Sequence, residues 1–509
     1  MKKSLRLVVA CALLLGLAGC AAEGSAGGRS NSRLVIGLSS LPPTLDTSLT
    51  TLVPASVLAR NVFESLVTTD SQWNVRPMLA DSWDVSADGL QIVFHLRQGV
   101  LFHDGSELTA EDVVASMRRW TTLSSQGRTA FPGAQWRSDS PTTVTLTMRK
   151  PNVVALQILG YNDGNLAAVM PAKIAEKAGR KPLKTFVGTG PYKLASFDKD
   201  QSIVFTRFDR YVARAEEPDG LAGDRTGTYE TIEVQRSPDL QSLLAGAETA
   251  AYDIANVTPD DWSRVAGSRD LYGVSDPQGS LYLNYNKRRG PFTDLNARLA
   301  VNAAIDNQAI MRASFTAPEL YDLRPGIMLR NQPQWTATTD ERSYNLHNLE
   351  LARRYLASSS YDGRPIVIVG VQGDPSNRGA TVLQQELEAA GFATKLQILD
   401  STTYLATRDN PAAWDILVAA QTPKPEPSAM IFFNKDYAGW TNSPELDAAI
   451  SDYRASASFD EATRKYSAIL TAFEEYRPLT KVGDYNSPYA VSRDIKVRMM
   501  DGPILWSIK

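Results

Sequence analysis

Apolar and polar positions change their period several times along the chain. Leu34-Val35-Ile36-Gly37-Leu38 is a short continuous apolar run and predicts a first buried strand. From Gln91 to Arg97 the pattern alternates, with Ile92, Phe94 and Leu96 on one side and Val93, His95 and Arg97 on the other. That period of two predicts a strand with one apolar face. Val144 to Met148 is similar, and Ile203 to Phe205 and Ile232 to Val234 read as two more strands. Farther on, Ile366 to Val371 is an apolar β-branched run followed by a turn at Gly373 to Asn377. Leu383, Leu387 and Ala390 then share one helical face, Gly391 sits where a helix-ending glycine belongs, and Leu396 to Leu399 gives the next strand. This β-α-β unit predicts a parallel or mixed sheet in the C-terminal half. Ser443-Pro444-Glu445 is a helix start with proline at the first position. Ala462, Tyr466, Ile469, Leu470 and Phe473 recur at helical spacing, and Pro478 follows the expected end. These stripes read as core. The sum is a mixed α/β chain whose length suggests two or three domains.

The first residues follow another pattern. Lys2, Lys3 and Arg6 precede an apolar run from Leu7 to Ala18. The run is too short to span a bilayer, which takes about 20 residues, and it fits the apolar core of an export signal. Its end, Leu17-Ala18-Gly19-Cys20, resembles the bacterial lipobox, which implies that Cys20 is lipidated and becomes the first mature residue. Residues 1–20 are therefore expected to be a lipoprotein signal peptide. A diacylated Cys20 would hold the protein on a membrane without crossing it. Residues 21–32, rich in Gly, Ala and Ser, read as a flexible tether. Cys11 and Cys20 are the two cysteines of the chain. With Cys11 removed and Cys20 acylated, no disulfide and no thiolate nucleophile is expected. Without Lys2, Lys3 and Arg6, the 53 basic side chains fall to 50 against 56 acidic ones, a net −6. That balance argues against nucleic acid as a partner.

Enzymatic chemistry leaves no local signature. The three histidines, His95, His103 and His347, stand in no HExxH or HxH spacing, so no metal site is expected. No GxSxG, GxxxxGK[ST] or GxGxxG occurs, so neither a nucleophile elbow nor a phosphate cradle is read. Two carboxylates converging from distant positions remain possible without a motif. The expectation is no catalytic residue and no cofactor. Tyr282, Tyr285, Trp414, Trp440 and Tyr485 lie near turns or strand ends, where aromatics with polar tips suit a wet binding cleft or ordinary packing.

The stretch FHLRQGVLFHDGSELTAEDV, residues 94–113, holds two of the histidines. Phe94 to Arg97 ends one strand, and Val100 to His103 is expected to form a second. Asp104-Gly105 reads as a turn, within which His103 is expected to hydrogen-bond. Thr109-Ala110-Glu111-Asp112 resembles a capping box opening a helix. A structural role is expected for both histidines.

That stretch also carries a family resemblance. It matches F-x-L-R-x-G-V-x-F-H-D-G-x-x-[LV]-T-A-x-D-V, and further strings follow the same family in order. These are SLPPTLD at residues 40–46, NVFESL at 61–66 (read as a helix), PMLADSW at 77–83, GTGPYKL at 188–194 and GPFTDLNARLAVNAAI at 290–305. YVARAEEPDGLAG, residues 211–223, is similar to one branch. The chain resembles the family 5 solute-binding lipoproteins of ABC importers, the peptide-binding type. The resemblance implies an α/β, two-lobed periplasmic-binding-protein-like fold of type II, with an extra domain, a hinge and a ligand cleft between the lobes. By segment order, 33–70, 185–275 and 485–509 would form lobe I, 71–184 the inserted domain and 276–484 lobe II. Hinge strands would lie near 281–285 and 484–489.

The resemblance further implies a monomer at the outer face of the cytoplasmic membrane. It would capture a peptide or another small polar solute and deliver it to a permease driven by a separate ATPase. The same fold could also serve as a surface sensor or adhesion lipoprotein, and the ligand could be an opine, sugar or metal chelate. Ser40 and Leu41 match a loop that pairs with extended peptide backbone. Tyr161 matches a cleft position at the border of the inserted domain. Tyr282, Asn284 and Tyr285 match the hinge-and-cleft strand. Gln421 follows the expected strand Trp414 to Ala420, at the cleft edge of lobe II, and Trp414 is a ligand-binding candidate with it. Trp440 is the further aromatic candidate. Peptide binders place an aspartate soon after that strand for the ligand's ammonium, and here Lys424 stands nearest. Either Glu426 replaces it or the ligand is not a free-amino peptide.

Overall fold

Residues 32–161, 165–237, 239–335 and 341–509 are described by a computed structural model. The stretch expected to be an export signal, with Cys20, and the expected tether up to residue 31 lie outside them. No helix among the described residues is long and apolar enough to cross a membrane.

The apolar run at Leu34 forms the strand Arg33–Leu38, which pairs in parallel with Thr231–Arg236 and Ile254–Asn256. Antiparallel strands Ser202–Arg207 and Tyr192–Asp198 extend this side. A second parallel group, Ile416–Gln421, Ile366–Val371 and Thr394–Leu399, forms the other side. Two long antiparallel strands, Leu271–Tyr285 and Leu479–Ser492, join the two groups into one eleven-stranded sheet. Each group carries its own apolar core. One core includes Leu34, Ile36, Phe63, Tyr192, Ile232 and Trp506. The other includes Leu283, Phe292, Ile310, Ile368, Leu383 and Ile416. This is the two-lobed α/β arrangement. The β-α-β unit is present, with helix Ser376–Ala390 ended by Gly391 in the left-handed conformation.

A separate four-stranded antiparallel sheet holds Ala80–Val85, Gln91–Leu96, Thr143–Thr147 and Gln135–Ser140 in that order. Ile92, Phe94 and Leu96 point into its core, as the alternation predicts, and Phe94 stacks on Trp136. Each such burial contributes about 1.5–3 kcal/mol. The capping box is formed: the Thr109 amide and hydroxyl both donate to Asp112 Oδ2, opening helix Ala110–Leu123.

Three local expectations are corrected. Asn61 to Leu66 is not a helix. The helix lies before it, Val53–Ala59, and the Asn61 amide ends it by donating to the carbonyls of Val57 and Leu58. Val100 to His103 is not a strand, because Leu101 makes one isolated bridge to Glu107 around the turn. His103 does not bond within that turn. It is half-buried, with Nε2 2.9 Å from the Gly190 carbonyl and its ring edge-on to Phe208. Burial holds its pKa down at about 4, so the ring is neutral and ties the turn to the GTGPY string it faces. His95 sits at the surface with Nε2 2.9 Å from Asp84.

Candidate functional site

The two long strands are irregular where they pass from one lobe to the other. Their register shifts between Pro277 and Gly279 and again between Leu281 and Tyr282. Gly279 has φ +145° and lies so close to the next strand that a Cβ would sit 2.0 Å from the Gln421 carbonyl oxygen. Only glycine lets the backbones approach this closely.

A narrow recess opens at this point, lined in part by Gly279, Ser280, Tyr282, Gln332, Gln421 and Lys424. Ser280 and Tyr282 alternate onto the same face of their strand, and Gln421 stands opposite Ser280 on the neighbouring one. The Tyr282 hydroxyl donates to the Ile327 carbonyl (3.4 Å), and its ring meets Phe432 edge-on. Gln332 Nε2 donates to the Lys424 carbonyl at 2.6 Å, tying two loops together at the rim. The rim segment Thr422 to Pro427 carries three prolines, which favour an extended, stiff backbone. Tyr161 belongs to the lobe I core, its ring 5.5 Å from Trp73, yet its hydroxyl donates to the Pro423 carbonyl. The two halves of the molecule therefore touch at the mouth of the recess.

Of the residues singled out from the sequence, Tyr161, Tyr282 and Gln421 come together here. The others lie elsewhere. Tyr285 faces the opposite side of its strand, in the lobe II core, with its hydroxyl 2.7 Å from Thr480 Oγ1. Asn284 shares the face of Tyr282 but donates to the Ala438 carbonyl at 2.9 Å. Trp414 and Trp440 stack on each other, centroids 5.6 Å apart. Trp414 precedes the far end of strand Ile416–Gln421, roughly 20 Å from Gln421 at about 3.3 Å per residue. Ser40 is exposed beyond the first strand, and Leu41 packs on the lobe I core. Glu426 is fully buried, and its oxygens accept from the Ser428 amide (2.7 Å) and hydroxyl (2.9 Å). Burial raises its pKa, opposed by Arg454 and by these hydrogen bonds. Its carboxylate is engaged in shaping the loop.

The strongest electrostatic feature at the recess was not read from the sequence. Asp484 lies opposite Ser280 on the strand Leu479–Ser492. Its Oδ1 accepts from Ser280 Oγ at 2.5 Å and pairs with Lys481 Nζ at 2.7 Å. Lys481 also donates to the Gly326 carbonyl at 2.7 Å. Burial pushes Asp484 up and Lys481 down, and each partner's charge partly restores the other. A lysine and an aspartate three apart inside one strand was the available signal.

Residues 74–442 match the bacterial extracellular solute-binding proteins, family 5, and the chain belongs to that family. It is 24% identical to the probable peptide ABC transporter periplasmic-binding protein y4tO of Sinorhizobium fredii, over 88% of each chain. It is 27% identical to the dipeptide-binding protein of Escherichia coli, over 90% of each. Among solved structures, the binding protein AgaA of A. tumefaciens R10 in complex with agropinic acid superposes with a TM-score of 0.75. The match has 21% identity and covers 93% of this chain and 96% of that one.

Proposed function

We propose that this family 5 solute-binding protein is the exported, lipid-anchored receptor of an ABC importer. It captures a peptide or a comparably small polar solute between its lobes and presents it to a membrane permease. Cys20 carries the lipid, and the protein acts as a monomer. Lobe I comprises 33–70, 185–275 and 485–509, the inserted domain 71–184, and lobe II 276–484. The register shift between Pro277 and Gly279, where Tyr485 faces Gly279 on the second long strand, supports the border between the lobes. The observation that carries the reading is the bond from Tyr161 to the Pro423 carbonyl across the mouth of a recess built on the inter-lobe strands. A solute there contacts both lobes and so favours their closed arrangement.

Relatives named for peptides and dipeptides support a peptide, and a structural neighbour holding agropinic acid supports an opine as the alternative. Lys424 where peptide binders carry an acid, and the engagement of Glu426, weigh against ammonium recognition in that loop. Tyr161, Tyr282 and Gln421 are the ligand-facing residues of this reading.

A thermal-shift screen of the purified protein against peptides, opines, sugars and metal chelates tests it. A solute at about a hundred times its dissociation constant adds roughly 2.7 kcal/mol of stability. Stabilisation by no solute class contradicts the proposal.

A further inference from the structure

The two long strands that join the lobes have a second face, turned away from the recess. Ser280 and Tyr282 belong to the recess face. Leu281 and Leu283 lie on the other, packed in the lobe II core with Ile310 of helix Asn307–Phe315. Tyr485 shares that far face and stacks on Phe315 at the end of the helix, centroids 5.0 Å apart. The pairs Gly279–Tyr485 and Pro277–Asn486 carry the face through the irregular turn, and Asn486 Nδ2 donates to the Glu319 carbonyl at 3.1 Å. In lobe I the same face carries Gly273, opposite Ala490, and Trp262 covers it so closely that a Cβ there would lie 2.8 Å from the ring.

On this far face the lobes meet a second time. Trp262 of lobe I also packs against the lobe II core. Thr316 Oγ1, just past helix Asn307–Phe315, donates to the Pro259 carbonyl at 2.8 Å. Arg378, in the first turn of helix Ser376–Ala390, donates from Nη1 to both oxygens of Asp260 at 2.8 Å each. Its Nη2 donates to the Ser314 carbonyl at 3.1 Å, which fixes the guanidinium on lobe II. Thr316 has φ +59°, a left-handed conformation that β-branched residues rarely adopt. Such strain persists only where the surroundings hold it, and it gathers at switching segments. Here the strained hydroxyl is bonded to the other lobe.

The joining strands run between the recess and this contact. A pivot on them that opens the recess therefore drives the far-face surfaces together. Those surfaces already touch at hydrogen-bonding distance, so opening must break the contact or slide it. We propose that Trp262, Thr316 and the Asp260–Arg378 pair form a brace behind the joining strands. It holds the solute-free protein toward the closed arrangement and sets how often the recess opens. The brace acts on the empty protein, so its test is separate from that of the receptor reading.

Double electron–electron resonance between spin labels on cysteines at exposed Asp200 and Lys435 tests this with no solute present. Arg378→Gln and Asp260→Asn should each raise the ratio of long to short distances about two- to fivefold, the scale of an exposed ion pair. Asp260→Arg sets two cations against each other and should raise it further. Combining Asp260→Arg with Arg378→Asp should bring it back to the wild-type value. The Arg378 and Asp260 side chains are 46% and 57% exposed, so salt reaches the pair. About 1 M salt should raise the wild-type ratio and leave that of Arg378→Gln unmoved. A distribution unchanged by every variant overturns the brace and makes the contact a local one. A shift toward shorter distances in Arg378→Gln or Asp260→Asn also overturns it, because the pair would then hold the lobes apart. Failure of the reversed pair to restore the wild-type ratio overturns the role of the ion pair.

Discussion

Two aspartates flank the crossing between the lobes, and they have opposite fates. Asp276 precedes the irregular turn of the first long strand, and Asp484 lies on the second strand, on the other side of the crossing. Both are buried, and each keeps one oxygen without a hydrogen bond. Asp276 is held by the C-terminal segment and by its own strand. Its Oδ2 accepts from the Gly502 amide (2.6 Å) and from Gln278 (2.7 Å). Arg60 beside it donates to the carbonyls of Met500, Gly502 and Pro503, locking the C-terminal segment onto the sheet. Asp484 bonds to Ser280, which lines the recess. Burial and incomplete pairing are thus shared by a clamp and by a carboxylate beside the recess. What separates them is the neighbour: a chain terminus in one case, a solvent-reaching recess in the other.

The comparison can be broken most severely at Arg60. Arg60→Ala strips the charge nearest Asp276 and leaves three carbonyls without their donor. It should cost about 3–5 kcal/mol in denaturant titration. The solute affinity of the folded protein should not change. A loss of affinity as large as that of Gln421→Leu would erase the distinction between clamp and site.

Asp276 gives the next effect through pH. Burial raises its pKa to about 6, against the hydrogen bonds and the Arg60 charge, which lower it. The folded protein therefore binds this proton more tightly than the unfolded chain does. The contribution to stability is full below the unfolded value near 3.8 and is lost as pH rises through about 6. Asp276→Asn should remove a stability difference of up to about 3 kcal/mol between pH 4 and pH 7. The check is the wild-type minus variant difference in unfolding free energy across that range. A flat difference contradicts the assignment.

Gly279 lies between the two aspartates. Gly279→Ala places a methyl group against the Gln421 carbonyl and forces an L-residue into a glycine conformation. A cost of about 1–3 kcal/mol is expected. Because Gln421 must shift, solute affinity should fall as well, which calorimetry reads directly. The smallest effect is expected at Glu426. Its carboxylate is occupied by Ser428, so Glu426→Gln should leave solute affinity unchanged. A clear loss would return ammonium recognition to the proline-rich loop.

These contrasts also explain what the sequence disclosed. Strands with a strict period, such as Gln91–Leu96, and the unit from Ile366 to Leu399 were legible because one buried face dictates their pattern. The string around His103 identified the family but misled locally. His103 reaches Gly188 and Gly190 in the turn of a distant segment, a contact no short window contains. Tyr282 and Tyr285 looked alike as aromatics near a strand end, yet they face opposite sides of one strand and only Tyr282 meets the recess. Trp414 and Trp440 found each other instead of a ligand. Asp484 and Ser280 escape a sequence reading because their meaning depends on register between strands some two hundred residues apart.

The central claim is that solute binding at the inter-lobe recess draws the two lobes together. Spin labels on cysteines placed at exposed Asp200 in lobe I and exposed Lys435 in lobe II measure it directly by double electron–electron resonance. Pooled Xaa-Ala dipeptides should shift the distance distribution to a shorter, narrower one, and Gln421→Leu should suppress the shift at the same probe concentration. Calorimetric binding of the same probe with an unchanged distance distribution would contradict the account.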